Sequence, residues 1–245
     1  TKFYENDIDL LLEIHKKPTG VAYVYLEPFM EIEKYYNIIQ KFNKAGIYQH
    51  LYTNGTLATE TTLKALGEAG LDELRFNLGA SGCADKVIEN IGLARKYIRK
   101  VGIETPMTPE FFEKFFVKKQ AILDTGLDFI NCAELHLNGN NIDNYWGEKI
   151  YISPIWSREL TLRFMAVADK EKWDLVIHDC SNDTKFARDL HLGAQEGKWF
   201  GASSYTSEFL EIPYAVFLPV LRDDDFHFLV EEELPDGYKP GEMLF

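Results

Sequence analysis

Short apolar segments alternate through the first half of the chain with longer segments whose apolar residues recur at helical spacing. The apolar segments span residues 21–25, 48–52, 71–77, 101–105 and 127–135. Their midpoints lie about 23 to 29 residues apart, which is the size of one βα unit. This pattern predicts an α/β fold with a parallel sheet. Near-uniform spacing and right-handed crossovers favour a partial βα barrel over a doubly wound open sheet.

Helix signals lie between these strands. The apolar faces consist of Ile32, Tyr35, Tyr36 and Ile39, then Leu63, Leu66 and Ala69, then Val87, Ile91, Ala94 and Ile98. Gly46, Gly70 and Gly126 are predicted to end helices, and Thr108 followed by Pro109 is typical of a helix start. Further helices are predicted over residues 7–16 and 157–170, with one more strand over 173–178.

The C-terminal part of the sequence has a different pattern. From residue 199 onward, β-branched and aromatic residues alternate with polar ones and prolines punctuate the chain. This pattern predicts a β-hairpin or a small antiparallel addition over residues 205–234. We therefore expect two regions, a partial βα barrel over residues 1–198 and a β-rich extension over residues 199–245.

Polar residues follow or end several of the predicted strands. They are Glu27 with Pro28, Thr53 with Asn54 and Gly55, Arg75 with Asn77, Glu104, and Asn131 with Glu134. A parallel barrel concentrates its chemistry at the carboxyl ends of its strands. The sequence thus predicts a pocket rich in carboxylates and amides at that end of the barrel.

Each of these residues also has a purely structural interpretation. Glu27 either accepts a hydrogen bond from a ligand ammonium or opens a helix near Met30, and Thr53 to Gly55 has the composition of an ordinary βα turn. Arg75 is costly to bury unpaired, so it either forms an ion-pair network with Glu104 and Glu134 or contributes to a ligand site.

Candidates for catalysis are fewer, and no role is assigned to them. Glu134 and His136 lie at the end of one strand, and His178 and Cys180 close a later one. The latter two residues could form a nucleophile pair or bind a metal, but two ligands fall short of the usual three or four. The sequence contains no glycine-rich phosphate loop, nucleophile elbow or zinc signature.

Composition limits the partners and the compartment. The formal net charge is −13, which argues against a broad nucleic-acid-binding face. No apolar run reaches the roughly 18 residues of a membrane span. The three cysteines are widely spaced and suit a reducing, cytoplasmic environment better than a disulfide scaffold. A small molecule or a protein remains open as substrate, and the oligomeric state is left open.

Taken together, these motifs resemble the radical S-adenosylmethionine superfamily, in the branch related to pyruvate formate-lyase activating enzymes. The stretches that carry the resemblance are residues 50–55, 69–76, 101–106, 129–135 and 178–181. The resemblance covers about residues 8–190, and it rests on the order and spacing of the motifs rather than on any one of them. It implies a partial TIM-like barrel that holds S-adenosylmethionine and a [4Fe-4S] cluster at the strand carboxyl ends.

The resemblance also implies roles for individual residues. Glu27 and Pro28 match the end of the family's Gly-Gly-Glu-Pro motif, which receives the methionine ammonium of the cofactor. Thr53, Asn54 and Asn77 match polar positions near the nucleoside. Glu104 matches a position near the ribose.

This sequence departs from the family pattern in two ways. The family's Cys-x-x-x-Cys-x-x-Cys loop is absent from it, and Tyr25 and Leu26 stand where the family has two glycines. In the family that loop follows the first barrel strand, so the resemblance implies a partial barrel without that strand. A cluster is then expected only with an upstream cysteine loop, and no metal ligand is expected in this chain.

Three functions remain open. The first is a fragment of a radical S-adenosylmethionine enzyme that generates a 5′-deoxyadenosyl radical and abstracts hydrogen from an unknown substrate, this chain alone being inactive. The second is a degenerate barrel without a cluster that acts as a binding module. The third is an ordinary barrel lyase or hydrolase that uses Glu104, Glu134 and His178.

Overall fold

The structure, a computed structural model, describes residues 20–24, 26–135, 154–181, 204–206, 213–215, 219–222 and 225–228. The chain divides into two compact units, Thr1–Cys180 and Ser181–Phe245. The boundary predicted between residues 198 and 199 lies outside the described residues and stays a prediction. The helix predicted over residues 7–16 and most of the polar segment over 138–156 also lie outside them.

The first unit is built on a six-stranded sheet in which every neighbouring pair of strands is parallel. Its strands are β1 (Gly20–Tyr23), β2 (Tyr48–Thr53), β3 (Glu73–Phe76), β4 (Lys100–Pro106), β5 (Phe129–Ala133) and β6 (Val176–Cys180). They lie side by side in chain order. A doubly wound sheet would reverse that order at a switch point, so the sequential order is that of a barrel wall.

The described part of the barrel wall is an open arc. Within it β1 pairs only with β2, and β6 pairs only with β5. The predicted α/β class with a partial, TIM-like barrel is therefore confirmed.

Five described α-helices complete the first unit: α1 (Glu33–Lys44), α2 (Glu60–Ala69), α3 (Asp85–Ala94), α4 (Pro109–Leu123) and α5 (Ile155–Glu171). The predicted terminal signals of two of them are confirmed. Thr108 accepts a hydrogen bond from the Phe111 amide at the start of α4. Gly70 follows α2 with a φ of 93°, a left-handed conformation that favours glycine.

The two faces of the sheet differ in chemistry. One face carries side chains that the helices cover completely, and Leu51, Leu74, Ile103 and Ile130 have no exposed surface. The other face, called the polar face below, holds residues that the strand registers align: Tyr48, His50 and Tyr52 of β2, Glu73 and Arg75 of β3, Lys100 and Glu104 of β4, Phe129 and Asn131 of β5, and Val176, His178 and Cys180 of β6. The functional groups of interest therefore share one surface.

One strand prediction was wrong in its limits. The last strand of the sheet runs over Val176–Cys180 rather than 173–178. Trp173 belongs to the helix layer, because its ring stacks near Phe115 and Phe164 and its indole N–H donates to Glu171. Because the Trp173 side chain packs among the helices, the strand begins only at Val176.

The second unit contains two antiparallel strand pairs among its described residues. They are β7 (Ser204–Thr206) with β8 (Pro213–Ala215), and β9 (Pro219–Arg222) with β10 (Asp225–Phe228). The predicted antiparallel addition is confirmed. In the described parts of both units, no helix combines the length and apolarity required to cross a bilayer.

Candidate functional site

Glu27 links the end of β1 to the end of β2. One carboxylate oxygen, Oε1, accepts hydrogen bonds from the Thr53 hydroxyl at 2.7 Å and from the Phe29 amide at 3.1 Å. The other, Oε2, accepts one from the Asn54 amide at 2.7 Å. Glu27 therefore opens the short 3₁₀ helix Pro28–Met30, as the structural interpretation predicts, and also ties two strand ends together.

The residue before Glu27 has an unusual backbone conformation. Leu26 has a φ of 44°, in the left-handed region, and its side chain is 82% exposed. Leucine rarely adopts this conformation because its Cβ crowds the neighbouring carbonyl. The backbone thus has a shape suited to glycine, at a position where the sequence resemblance expects one.

The loop after β2 is a tight turn, as predicted. Asn54 accepts hydrogen bonds from the amide and the hydroxyl of Thr56, and Gly55 has a φ of 76°. A Cβ atom on Gly55 would lie 2.6 Å from the Phe76 ring and 2.8 Å from Val87. Only glycine allows the loop to lie this close to the core.

Asn90 holds this loop in place through hydrogen bonds, a role that the sequence did not predict. It lies on α3 with no exposed surface, and its amide group donates to the carbonyls of Gly55 at 2.9 Å and Ala58 at 3.1 Å. The only signal in the sequence was a polar residue next to Ile91 on an apolar helix face. That signal does not say what the amide would bind.

Asn77 lies at the end of β3, next to the Glu27 cluster. Its backbone amide donates to the Thr53 carbonyl at 2.7 Å, and its Oδ1 accepts from the hydroxyl of Thr105 at 3.0 Å and the amide of Ala80 at 3.1 Å. The structure therefore brings Glu27, Thr53, Asn54 and Asn77 together through direct hydrogen bonds.

Arg75 is the centre of an ion-pair network on the polar face. Its Nη1 donates to Glu104 at 2.6 Å and to the Tyr52 hydroxyl at 2.9 Å, and its Nε forms a salt bridge with Glu73. Asn131 adds a hydrogen bond to the same Glu104 oxygen at 3.1 Å. The predicted ion pair with Glu104 is observed. The prediction of Glu134 as the other partner was wrong, because Arg75 pairs instead with Glu73, which lies on its own strand.

The network shifts the ionisation of its neighbours. Burial, followed by the negative charge of Glu104, raises the pKa of Tyr52 to about 12. Burial and the nearby Arg75 cation lower the pKa of His50. Both groups therefore stay neutral near pH 7.

Among the catalytic candidates that the structure describes, Glu134, His178 and Cys180 do not form a metal-binding group. His178 and Cys180 share the polar face of β6, two residues apart, and the described hydrogen bonds do not join them. Glu134 follows β5 and is half-buried. His136 lies outside the described residues.

The described residues do not fit a four-iron cluster. Among them, no three His, Cys, Asp or Glu side chains are grouped to hold a metal ion. Burial, then the charge of Asp179, raises the pKa of Cys132 to about 12, and burial also raises that of Cys83. Metal ligation needs a thiolate, which both sites disfavour.

Comparisons with known proteins agree with the fold. No family model matches the chain. A protein of Methanocaldococcus jannaschii, provisionally named a glycyl-radical enzyme activating enzyme, is 31% identical over 131 residues, which are 50% of this chain and 35% of that protein. The chain thus matches about a third of the length of this curated relative.

Two solved structures of SuiB from Streptococcus suis also match. One superposes with a TM-score of 0.56 at 14% identity, covering 83% of this chain and 47% of that one. The other, SuiB bound to the precursor peptide SuiA, has a TM-score of 0.55 at 14% identity, covering 73% and 43%. At this identity the match supports the fold alone.

Fold and site together define a parallel α/β protein of the partial-barrel class, with polar groups gathered at its strand ends. Within that class, the chain resembles the activating enzymes of the radical S-adenosylmethionine superfamily. The resemblance predicted from the motifs is therefore confirmed.

Proposed function

We propose that the carboxyl ends of β1 to β4 bind S-adenosylmethionine, and that the chain is part of a radical S-adenosylmethionine activating enzyme. The observation that carries the proposal is the hydrogen-bonded cluster of Glu27, Thr53, Asn54 and Asn77. It joins the three strand ends where the superfamily resemblance expects the cofactor.

Glu27 retains the capacity to hold an ammonium group. An ionised carboxylate offers about four acceptor positions, and Glu27 uses three for the amides of Phe29 and Asn54 and the hydroxyl of Thr53. The unused position is on Oε2, which accepts one hydrogen bond from the described part of the chain. An ammonium at this point would complete the coordination of a carboxylate that the protein already holds in place.

Asn54 and Asn77 are assigned to the nucleoside end of the cofactor. Their side-chain oxygens are occupied by Thr56 and by Thr105 with Ala80, so these residues are held rigidly. Their amide nitrogens have no hydrogen bond among the described residues and can donate to a ribose or an adenine. Glu104 forms an ion pair with Arg75 at 2.6 Å, and its proposed place is near the ribose.

The reaction of the complete enzyme is proposed as hydrogen abstraction by a 5′-deoxyadenosyl radical. A reduced [4Fe-4S] cluster would supply the electron for that chemistry, and its ligands have to come from residues other than those described here. The substrate is a small molecule or a protein. SuiB, whose fold matches, has been solved with a precursor peptide, which makes a peptide substrate a reasonable first choice.

Photocrosslinking tests the position of the cofactor. S-adenosylmethionine with an 8-azido group on the adenine is expected to label peptides that contain residues 53–56 or 77–82, and excess unmodified cofactor should prevent the labelling. Asn77→Ala should reduce the yield while circular dichroism remains unchanged. Label found only on peptides away from the carboxyl ends of β1 to β4 would contradict the proposal.

A binding module without a cluster is the second candidate, favoured by the absence of a ligand group among the described residues. Anaerobic reconstitution with iron and sulfide separates the two. A polypeptide that adds a three-cysteine loop should take up iron and sulfide, whereas residues 1–245 alone should take up neither. A protein with such a loop that still binds no iron would favour the binding module.

A further inference from the structure

A cavity of about 250 Å³ lies on the polar face, at the end of the sheet opposite Glu27. Its lining includes Glu73, Lys100, Phe129 and Val176, which are the first residues of β3, β4, β5 and β6. The cavity therefore opens at the amino ends of the strands, and the ion pairs of Arg75 lie at its inner side.

The carboxylates of this cavity already have cationic partners. Glu73 accepts hydrogen bonds from Tyr48 and Arg75. Asp128 is paired with Arg95 at 2.8 Å and accepts from the Val101 amide at 2.7 Å. Neither acid needs a ligand cation to compensate its charge.

Donor groups, in contrast, remain available within the described structure. The Lys100 ammonium has only the face of the Tyr48 ring, 5.9 Å away, and no carboxylate partner. Arg75 donates hydrogen bonds from Nε and Nη1, so its third guanidinium nitrogen, Nη2, has no hydrogen bond among the described residues. The exposed imidazole of His178 also lines the cavity and has no described partner. The free groups are thus mostly cationic or donating, which suits an anion.

One acceptor faces the same space. Asn131 lines the cavity and is only 8% exposed. Its amide nitrogen donates a hydrogen bond to Glu104. Its Oδ1 has no hydrogen bond among the described residues, and it does not belong to the described side-chain atoms that are both fully buried and unpartnered. The donor group of a ligand entering the cavity can therefore reach it.

An apolar wall completes the site. Gly102 makes room for the Phe129 ring, because a Cβ atom there would lie 2.5 Å from it. The ring also contacts the Arg75 guanidinium, whose carbon lies 5.6 Å from its centroid. A short hydrocarbon segment could pack on this ring.

We propose that this cavity binds a small carboxylate that carries a hydroxyl or ammonium donor. The carboxylate contacts Lys100 and the free Nη2 of Arg75, the donor reaches Asn131 Oδ1, and the carbon chain lies on Phe129. The site lies at the amino ends of the strands, opposite the proposed S-adenosylmethionine site, and the Arg75–Glu104 pair lies between the two.

The probe for this site is L-lactate, titrated against the full chain without S-adenosylmethionine and followed by NMR chemical shifts. Propionate lacks the hydroxyl and lactamide lacks the charge, so both are expected to bind more weakly than lactate. Lys100→Gln should weaken lactate binding about fivefold, the value for one partly exposed charge pair. Lys64→Gln, on the far side of the helix layer, is the matched control and should change nothing.

Asn131→Ala provides an internal test that folding defects cannot imitate. It should lower lactate affinity about fivefold and leave propionate affinity unchanged, since only lactate donates to the amide oxygen. Equal losses for both ligands would overturn the assignment of Asn131. A lactate shift that rises linearly without saturating, or equal affinity in wild type and Lys100→Gln, would overturn the site itself.

Discussion

The two faces of the same six strands perform different tasks. On the helix-covered face, Leu74 and Phe76 have no exposed surface and their packing supplies hydrophobic stabilisation. On the polar face, Arg75 lies between these residues in sequence and binds two carboxylates. A shift of one residue in the register of β3 would exchange its two faces. The alternation of apolar and charged residues in β3 therefore determines which side chains enter the core and which form the ion-pair network.

The difference assigns stability mainly to the covered face and function to the polar face. The covered face tolerates no change of volume without loss of stability, whereas the polar face keeps charged groups at a cost in desolvation. Variants on the two faces are therefore expected to differ in the size of the effect and in its dependence on pH.

The largest effect is expected on the covered face. Phe76→Ala should lower the free energy of unfolding by about 3–5 kcal/mol, because it leaves a cavity beneath Gly55 in the core. Chemical denaturation measures the change. Val117→Ala is the control, since that side chain is 84% exposed and should cost less than about 0.5 kcal/mol.

Arg75→Met should cost slightly less, about 3 kcal/mol, because it leaves Glu73 and Glu104 without their cation. Arg75→Lys keeps a positive charge between the two carboxylates and should therefore lose less than Arg75→Met in chemical denaturation. Equal losses in the two variants would show that the polar face does not depend on this ion pair.

At Leu26, which follows β1, backbone strain is expected to produce a smaller effect of opposite sign. Leu26→Gly should raise the free energy of unfolding by about 0.5 kcal/mol, because relief of the left-handed strain exceeds the added flexibility of the unfolded chain. Leu57→Gly is the matched control: Leu57 is also exposed but has no positive φ, so this variant should be destabilised. Destabilisation of both would show that Leu26 is not strained.

The smallest effect concerns His50 on the polar face. Its pKa is lower in the folded protein than in the unfolded chain, so the unfolded state binds more protons as the pH falls through the ordinary histidine range. The contribution of His50 to stability is therefore present at neutral pH and declines below about 6.5. His50→Gln should flatten the stability profile there, and an unchanged slope would contradict the shift.

The sequence predicted the sheet and most helices because their signals are local. Alternation in β2, the Thr108 cap and the glycine after α2 each depend on neighbouring residues. It also identified Glu27, Thr53, Asn54 and Asn77 as residues at strand ends. Their mutual hydrogen bonds could not be predicted, because they join strands more than twenty positions apart.

Other features depended on packing that no local pattern records. Glu73 was not recognised as the second partner of Arg75, since two residues on one strand do not reveal which way the guanidinium turns. The support of the Gly55 loop by Asn90 depends on contacts between two distant segments. The start of β6 was misplaced because Trp173 packs with helices α4 and α5.

Binding of S-adenosylmethionine tests the central claim most directly. Calorimetric titrations should compare wild type, Glu27→Gln and the control Glu31→Gln, whose carboxylate is exposed and pairs with Lys34. We expect Glu27→Gln to weaken S-adenosylmethionine binding by about 1.5–3 kcal/mol. It should leave 5′-methylthioadenosine, which lacks the amino acid, unaffected. Unchanged affinity for S-adenosylmethionine in Glu27→Gln would remove Glu27 from the site and contradict the account.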